Sequence, residues 1–375
     1  MKGFSKLGKW ARGQAVCLIA AGCAGISLFF VPPNGETLAA VDWRVLGLLL
    51  CLMAVVAGLQ SCGLFGALAG RLLTGRKSLR LLATALILLP FFCSMLVTND
   101  VALLVFVPFS ILVLSQIGRR EHLIPVVVLQ TLAANLGSMA TPVGNPQNLY
   151  LYNHYAISPA DFFATLLPPA LLSLIGLLTA CCFCLPNEHI EVRFLEMPQI
   201  GDKRRLALYL TLFLLCLLAV FHLLPVPLLT SVVLAILFLF DRKLFHHIDV
   251  GLLLTFFFFF IFAGNLGKIP AVRETLTALT NAGAGLTAIC ASQIISNVPA
   301  ALLLSGFTDN WQGLLTGVNI GGLGTPIASL ASLISLRFYL QVEGARGGRY
   351  LLWFLLANLT GLTLLTGFAA LLGML

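Results

Sequence analysis

The sequence predicts an all-α polytopic membrane protein built from two inverted repeats, with about nine transmembrane helices, two re-entrant hairpins and two broken helices. Three observations lead there. The first is composition: 59% of the 375 residues are hydrophobic and 10% charged, with a mean hydropathy of +1.01. A soluble domain carries about 25% charged residues. Apolar runs recur here near the ~20 residues that span ~30 Å of hydrocarbon. The second is the placement of Lys and Arg at the ends of those runs, and the third is internal repetition. The net charge of +8 therefore reads as topology control at a lipid bilayer rather than as a nucleic-acid surface.

The elements follow in order, with the N-terminus taken as cytoplasmic in the plasma (cell inner) membrane. Residues 1–42 hold Lys2, Lys6, Lys9 and Arg12, a first helix at about 15–31, and an outside loop with Glu36 and Asp42. That helix is long for the core of a cleaved signal, and no small-x-small site follows it. Residues 43–161 form the first repeat. A helix at about 43–60 returns to a loop bearing Arg71, Arg76, Lys77 and Arg80. The chain is then apolar from Leu81 to Gln116, and Arg119 and Arg120 follow. One crossing would be far too long and would leave those arginines outside. A hairpin at about 81–116, turning near 94–100, resolves this, provided that protein or a wet cavity surrounds its irregular backbone. A broken helix at about 123–153 then crosses outward.

Residues 162–245 are connecting helices. Helix 162–184 returns to Arg193, Lys203, Arg204 and Arg205; a short pair, 206–223 and 226–240, turns at Pro225 and Pro227 and comes back to Arg242 and Lys243. Residues 246–340 form the second repeat: a helix at 250–264 going out, a hairpin at about 281–307 dipping from outside, and a broken helix at about 312–340. Residues 341–375 supply the C-terminal helix, beyond Arg346 and Arg349. In this threading only Arg44, Lys268 and Arg273 fall outside among the basic residues.

The halves match in sequence. Gly47-Leu-Leu-Leu50 recurs as Gly251-Leu-Leu-Leu254, and Thr98-Asn99 answers Ser296-Asn297. Asn135-x-Gly137-x-x-x-Thr141-Pro142 returns as Asn319-x-Gly321-x-x-x-Thr325-Pro326. Helix 43–60 runs inward and helix 250–264 outward, so the repeats are inverted, an architecture common among secondary transporters.

Broken helices free carbonyls at one stump and N–H groups at the other. Freed carbonyls with Asn and Thr oxygens suit a hard cation, and freed N–H groups at a helix start attract anions. Glycine permits close approach, and Pro142 and Pro326 help to stop the helix. The plainer reading of such residues is packing and kinking; their pairing across two halves favours a site. Asp100 is the one acidic residue deep in the apolar region, a place where a carboxylate is costly and marks function by default. It would bind a coupling cation or carry a proton; capping the second hairpin limb is the alternative. The Cys residues, including Cys181-Cys182-x-Cys184, lack a second cluster at metal spacing and read as apolar side chains.

Thr98-Asn99-Asp100-Val-Ala102 followed by Asn135-Leu-Gly-Ser-Met-Ala-Thr-Pro-Val-Gly-Asn-Pro-Gln-Asn148 resembles the first-repeat signature of the ion-transporter superfamily. That group holds divalent-anion:sodium symporters, citrate transporters, arsenite permeases and a class of sodium/proton antiporters. The resemblance covers roughly residues 43–340. It implies Thr98, Asn99, Asn135, Gly137, Thr141, Asn145 and Asn148 in one half of a substrate and ion site, and Ser296, Asn297, Asn319, Gly321 and Thr325 in the other. It also implies elevator-like movement and frequent homodimers. Two departures stand out: Asp100 replaces a Thr of the first tip motif, and Val298-Pro299 replaces the corresponding part of the second. The second break, Thr325-Pro326-Ile-Ala-Ser329-Leu-Ala-Ser332, resembles the arsenite-permease branch.

The expected function is a secondary active permease for a small, anionic organic or inorganic solute. It needs no resident cofactor and is coupled to Na+ or H+, with Na+ near Asn99, Asp100, Asn135, Asn297 and Asn319. The alternatives are a sodium/proton antiporter using Asp100 and an arsenite or oxyanion efflux permease. No charged ring or filter loop suggests a channel, and no His-Glu-x-x-His or Ser/Lys dyad suggests an enzyme.

Overall fold

A computed structural model describes residues 15–35, 37–73, 75–192 and 200–375. Lys2, Lys6, Lys9, Arg12, Glu36 and Arg193 lie outside the described residues, as do the side chains of Arg71 and Arg76. The described chain is almost entirely helical. Several helices start on short polar caps: Asp42 Oδ1 accepts from the Val45 N–H (3.0 Å), Ser78 Oγ from Leu81 (3.1 Å) and Asp249 Oδ1 from Leu252 (3.0 Å), satisfying orphan donors.

The first hairpin is made of α4 (Leu79–Cys93) and α5 (Asn99–Gln116). Ahead of it come α1 (Ala15–Phe30), α2 (Trp43–Ser61) and α3 (Leu64–Leu73), and then strand β1 (Gly75–Ser78). Strand β1 pairs antiparallel with β2 (His189–Val192), Ser78 opposite His189. The hairpin's two ends are tied to one short stretch. The Leu79 N–H donates to the Glu188 carbonyl (2.7 Å), and Arg80 Nε donates to the Leu185 carbonyl (2.9 Å). Arg119, just past α5, pairs with the Glu188 carboxylate. Entry and exit therefore share one end of the molecule, as the sequence predicts.

The chain continues through α6 (Leu123–Ser138), a break, α7 (Pro146–His154), α8 (Pro159–Cys184), β2, α9 (Lys203–Val220), α10 (Val226–Phe240) and α11 (Val250–Leu266). The second hairpin is α12 (Pro270–Ile295) with α13 (Asn297–Leu304). Helix α12 bends at Gly283, whose backbone leaves the helical region. Thr280 Oγ1 donates to the Phe307 carbonyl (2.8 Å), closing the base of this hairpin. The chain ends with α14 (Trp311–Ile320), a second break, α15 (Leu330–Leu340) and α16 (Gly347–Leu371).

The two hairpin bases lie at opposite ends of the broken segments. Segment α6–α7 starts just after Arg119 and ends at Tyr155, whose hydroxyl donates to the Ser305 (3.0 Å) and Thr308 (2.8 Å) carbonyls beside the second base. Segment α14–α15 starts at that second base and returns toward the first, where Glu343 meets Arg120 at 4.0 Å. The two segments thus run in opposite directions between the same two ends. Every residue of α6 is buried, the polar Gln130, Thr131, Asn135 and Ser138 included.

Among the described residues five helices, α2, α5, α8, α12 and α16, are long and apolar enough to cross a membrane alone. Helices α1, α10 and α11, at 15–17 residues, reach only about 22–26 Å at ~1.5 Å per residue. Two stretches differ from the sequence expectation. Residues 64–73, read as loop, form α3, and 270–282, read as an outside loop, are helical. Arg273, Glu274 and several threonines interrupt the apolar pattern there, so periodicity reads as loop.

Candidate functional site

The same bonds tie hairpin tip to break in each half. At the first tip the Asn99 N–H donates to the Gly144 carbonyl (3.2 Å), and at the second the Asn297 N–H donates to the Ala328 carbonyl (3.0 Å). Aligning the two Thr-Pro pairs makes Gly144 and Ala328 equivalent. Thr141 Oγ1 donates to the Met95 carbonyl, and Thr325 Oγ1 to the Gln293 carbonyl (3.2 Å); Met95 and Gln293 are equivalent when the tips are aligned. The duplication is thus visible in hydrogen bonds as well as in sequence.

Glycine lets these parts touch. A Cβ on Gly137 would stand 2.0 Å from the Phe91 carbonyl oxygen of α4, and one on Gly321 would stand 2.7 Å from Ser292 Oγ of α12. Gly137 therefore sets a backbone-to-backbone approach that no larger residue permits.

The halves are joined by a buried network of side chains. Asn99 Nδ2 donates to Asn135 Oδ1 (2.8 Å), and Ser329 Oγ donates to the same oxygen across the halves (3.1 Å). In the mirror relation Asn145 Nδ2 donates to Asn319 Oδ1 (3.1 Å). Asn319 Nδ2 in turn donates to Asn148 Oδ1 (2.7 Å). None of these six side chains is more than 6% exposed. Most buried polar groups in folded proteins are bonded, and these bonds tie one half to the other.

Not every bond has a mirror image. Asn297 does not bond Asn319 as Asn99 bonds Asn135, and although Ser332 is the counterpart of Asn148, Asn135 Nδ2 and Ser332 Oγ are both buried without a hydrogen-bond partner among the described residues. An amide N–H offers only donation, so Asn135 Nδ2 calls for an acceptor oxygen.

The predicted residues divide as follows. Asn99, Asn135, Asn145, Asn148, Asn319 and Ser329 share the network. Thr141, Thr325, Ser296 and Asn297 bind tips to breaks; Ser296 Oγ donates to Ala328 O at 3.3 Å, and the Asn297 amide lies against Gly322. Pro142 and Pro326 sit within the breaks. Thr98 is the N-cap of α5 without a side-chain cap bond. Asp100, partly buried in the first turn of α5, accepts no cap bond, and its carboxylate makes no hydrogen bond or ion pair among the described residues. A carboxylate is favoured at that end of the helix dipole. Within the proposed sodium set, Asn135 Oδ1 already accepts two hydrogen bonds, filling both its lone pairs.

Sequence reasoning missed Gln293, Ser138 and Ser332. Gln293 Nε2 donates to the Gly321 and Leu323 carbonyls (2.9 Å each), and its Oε1 accepts from the Thr325 N–H (2.9 Å). Ser138 Oγ accepts from Asn145 Nδ2 (3.2 Å). The signal for Gln293 was a polar residue in an apolar limb, masked because its counterpart is Met95.

Helices broken at depth, in two inverted halves that bond across one another, define the class as a multi-pass membrane transporter. The chain belongs to the citrate transporter family (CitMHS), which it matches over residues 7–310. It is 34% identical over 318 residues to an uncharacterized transporter of Methanocaldococcus jannaschii, covering 84% of this chain and 86% of that one. It is 34% identical over 322 residues to the inner membrane protein YbiR of Escherichia coli K12, covering 84% and 85%. It is also 32% identical over 192 residues to the silicon efflux transporter LSI3 of Oryza sativa subsp. japonica, covering 48% of this chain and 39% of that one. The solved YdaH transporter of Alcanivorax borkumensis shares the fold, with a TM-score of 0.52 at 17% identity over 96% of this chain and 97% of that one.

Proposed function

We propose that this transporter is a secondary carrier that moves a small, oxygen-bearing anionic solute across the plasma membrane, coupled to Na+ or H+. The observation that carries this reading is the cross-half network, with unpaired polar atoms at Asn135 and Ser332 and the unpaired Asp100 carboxylate one residue from Asn99. Asn135 Nδ2 would donate to a solute oxygen and Ser332 Oγ would complete the contact. Asp100 and the uncommitted Thr98 hydroxyl would take the coupling cation or proton, offsetting the charge of the solute. Inversion of the halves makes the two access states near mirror images. Both the citrate of the family name and the silicon of the rice relative's name fit solutes rich in oxygen. The charge placement and the inner-membrane name of the Escherichia coli relative support a plasma membrane location with a cytoplasmic N-terminus.

The test is flux in proteoliposomes. Under an imposed Na+ or H+ gradient, saturable uptake of citrate, another carboxylate or an oxyanion is expected, and Asp100→Asn should abolish the gradient dependence. Folded protein that moves none of them under either gradient contradicts the proposal. A second reading, sodium/proton exchange, is favoured by the unpaired Asp100 carboxylate. It predicts Na+-driven pH change with no solute present, lost in Asp100→Asn.

A further inference from the structure

We infer that the groove between α6, α8 and α16 seats an acyl chain of an anionic phospholipid. The groove has a volume of about 460 Å³ and is walled by residues such as Leu132, Leu136, Gly176, Trp353 and Leu364. Its two side-chain hydroxyls are already used within their own helices: Ser173 Oγ donates to Pro169 O (2.6 Å) and Thr360 Oγ1 to Leu356 O (2.7 Å). Apart from the Trp353 indole N–H and the weakly polar Cys184 thiol at one end, no free side-chain N–H or O–H lines it, and a polar solute would leave most of its own groups unpaired there. Leu356 and Leu364, at 60% and 64% exposed, open it to the surrounding bilayer.

Length and charge select the occupant. The groove runs along α8 from Leu172 to Cys184, about 18 Å at the helical rise. One leaflet supplies roughly half of ~30 Å of hydrocarbon, so the groove accommodates the tail of a single leaflet. The Cys184 end adjoins Trp353 near the start of α16, and that end is basic. Arg349 stands one turn before Trp353, Arg346 is the N-cap of α16, and Arg80 is held against Leu185, next to Cys184. Among the described side chains of this end, the Glu121, Glu188 and Glu343 carboxylates are engaged by Arg119, His122 and Arg120. Among the described residues Arg80, Arg346 and Arg349 make no ion pair. Three uncompensated guanidinium groups at the mouth of an apolar slot match a negative headgroup above one tail.

The experiment keeps Trp353 as the only tryptophan, with Trp10, Trp43 and Trp311 changed to Phe, and reconstitutes the protein in phosphatidylcholine. Lipids with brominated tails quench a tryptophan they touch. Brominated phosphatidylglycerol is expected to reach half-maximal quenching at a mole fraction about fivefold lower than brominated phosphatidylcholine. Arg346→Gln with Arg349→Gln should erase that preference while leaving quenching by phosphatidylcholine. Gly176→Leu, at a site where an added Cβ meets nothing within 4 Å, should fill the slot and weaken quenching by both lipids. Superimposable curves for the two headgroups, quenching indifferent to Gly176→Leu, or Trp353 shielded from both lipids by a second copy of the chain would each overturn the inference.

Discussion

The two breaks occupy equivalent places, yet they are held open by different means. In the first, between Ser138 and Pro146, the stitching comes from the segment itself. Asn148 Nδ2 spans the carbonyls of Ser138 (3.5 Å), Met139 (3.2 Å) and Thr141 (3.2 Å), and Asn145 Oδ1 caps the Asn148 N–H (2.9 Å). In the second, the counterparts are Ser329 and Ser332, and Ser329 makes no side-chain cap bond. The amide that satisfies this break is Gln293, carried by hairpin helix α12. The second tip also holds Ser296 at φ 73°, ψ 154°, a region that costs a non-glycine residue about 1–3 kcal/mol. The first break thus carries side-chain stitching of its own beside the ties to its hairpin, whereas the amide that stitches the second is supplied by its hairpin.

The largest effect that can break this comparison is at the paired glycines. Gly137→Ala drives a methyl into a backbone carbonyl and should cost more than about 3 kcal/mol, read as loss of monodisperse protein. Gly321→Ala meets the Ser292 hydroxyl at 2.7 Å and the Gly317 carbonyl oxygen at 2.8 Å, a looser fit than at Gly137, and should cost roughly 1–3 kcal/mol, read as a lowered Tm. Equal losses would mean that the two approaches are not different in kind.

Next come the stitching amides. Gln293→Met, which copies the first half, leaves the Gly321 and Leu323 carbonyls without their partner and should cost about 1–3 kcal/mol. Amide hydrogen exchange should quicken at 321–329 and stay unchanged at 139–145. Asn148→Leu should cost more, because it also breaks the bond to Asn319, and should loosen 139–145 first. Exchange that rises equally in both breaks for either variant would dissolve the distinction.

The smallest effect on stability is expected from Ser332→Ala. Its hydroxyl has no protein partner to lose, so Tm should hold or rise slightly. Apparent solute affinity should fall about fivefold if that oxygen faces the solute, from a net hydrogen bond worth ~1 kcal/mol. Unchanged transport would remove Ser332 from the proposed site.

Much of this was legible in the chain because Gly, Pro, Asn and Thr punctuate otherwise apolar runs. The Thr141-Pro142 and Thr325-Pro326 breaks, the turn at 94–98 and the turn at Ser296 fall where those residues cluster. The arginines at 119 and 120 were enough to demand a hairpin. Partnership was harder to read. Sequence spacing carries no distance between Asn145 and Asn319, which lie 174 positions apart, and Gln293 was hidden because repeat matching rewards identity and its partner position is Met95. The four-residue strands of the β1–β2 pair are too short to leave a periodic trace.

The account stands on two hairpins entering from opposite faces, and side-specific labelling reads that directly. With the native cysteines replaced, single cysteines at Ser78, Arg119 and Thr308 are treated with an impermeant maleimide in right-side-out and inverted vesicles. Ser78 and Arg119 should react from one face and Thr308 from the other. Reaction of Ser78 and Arg119 from opposite faces would turn the first hairpin into a plain crossing and contradict the account.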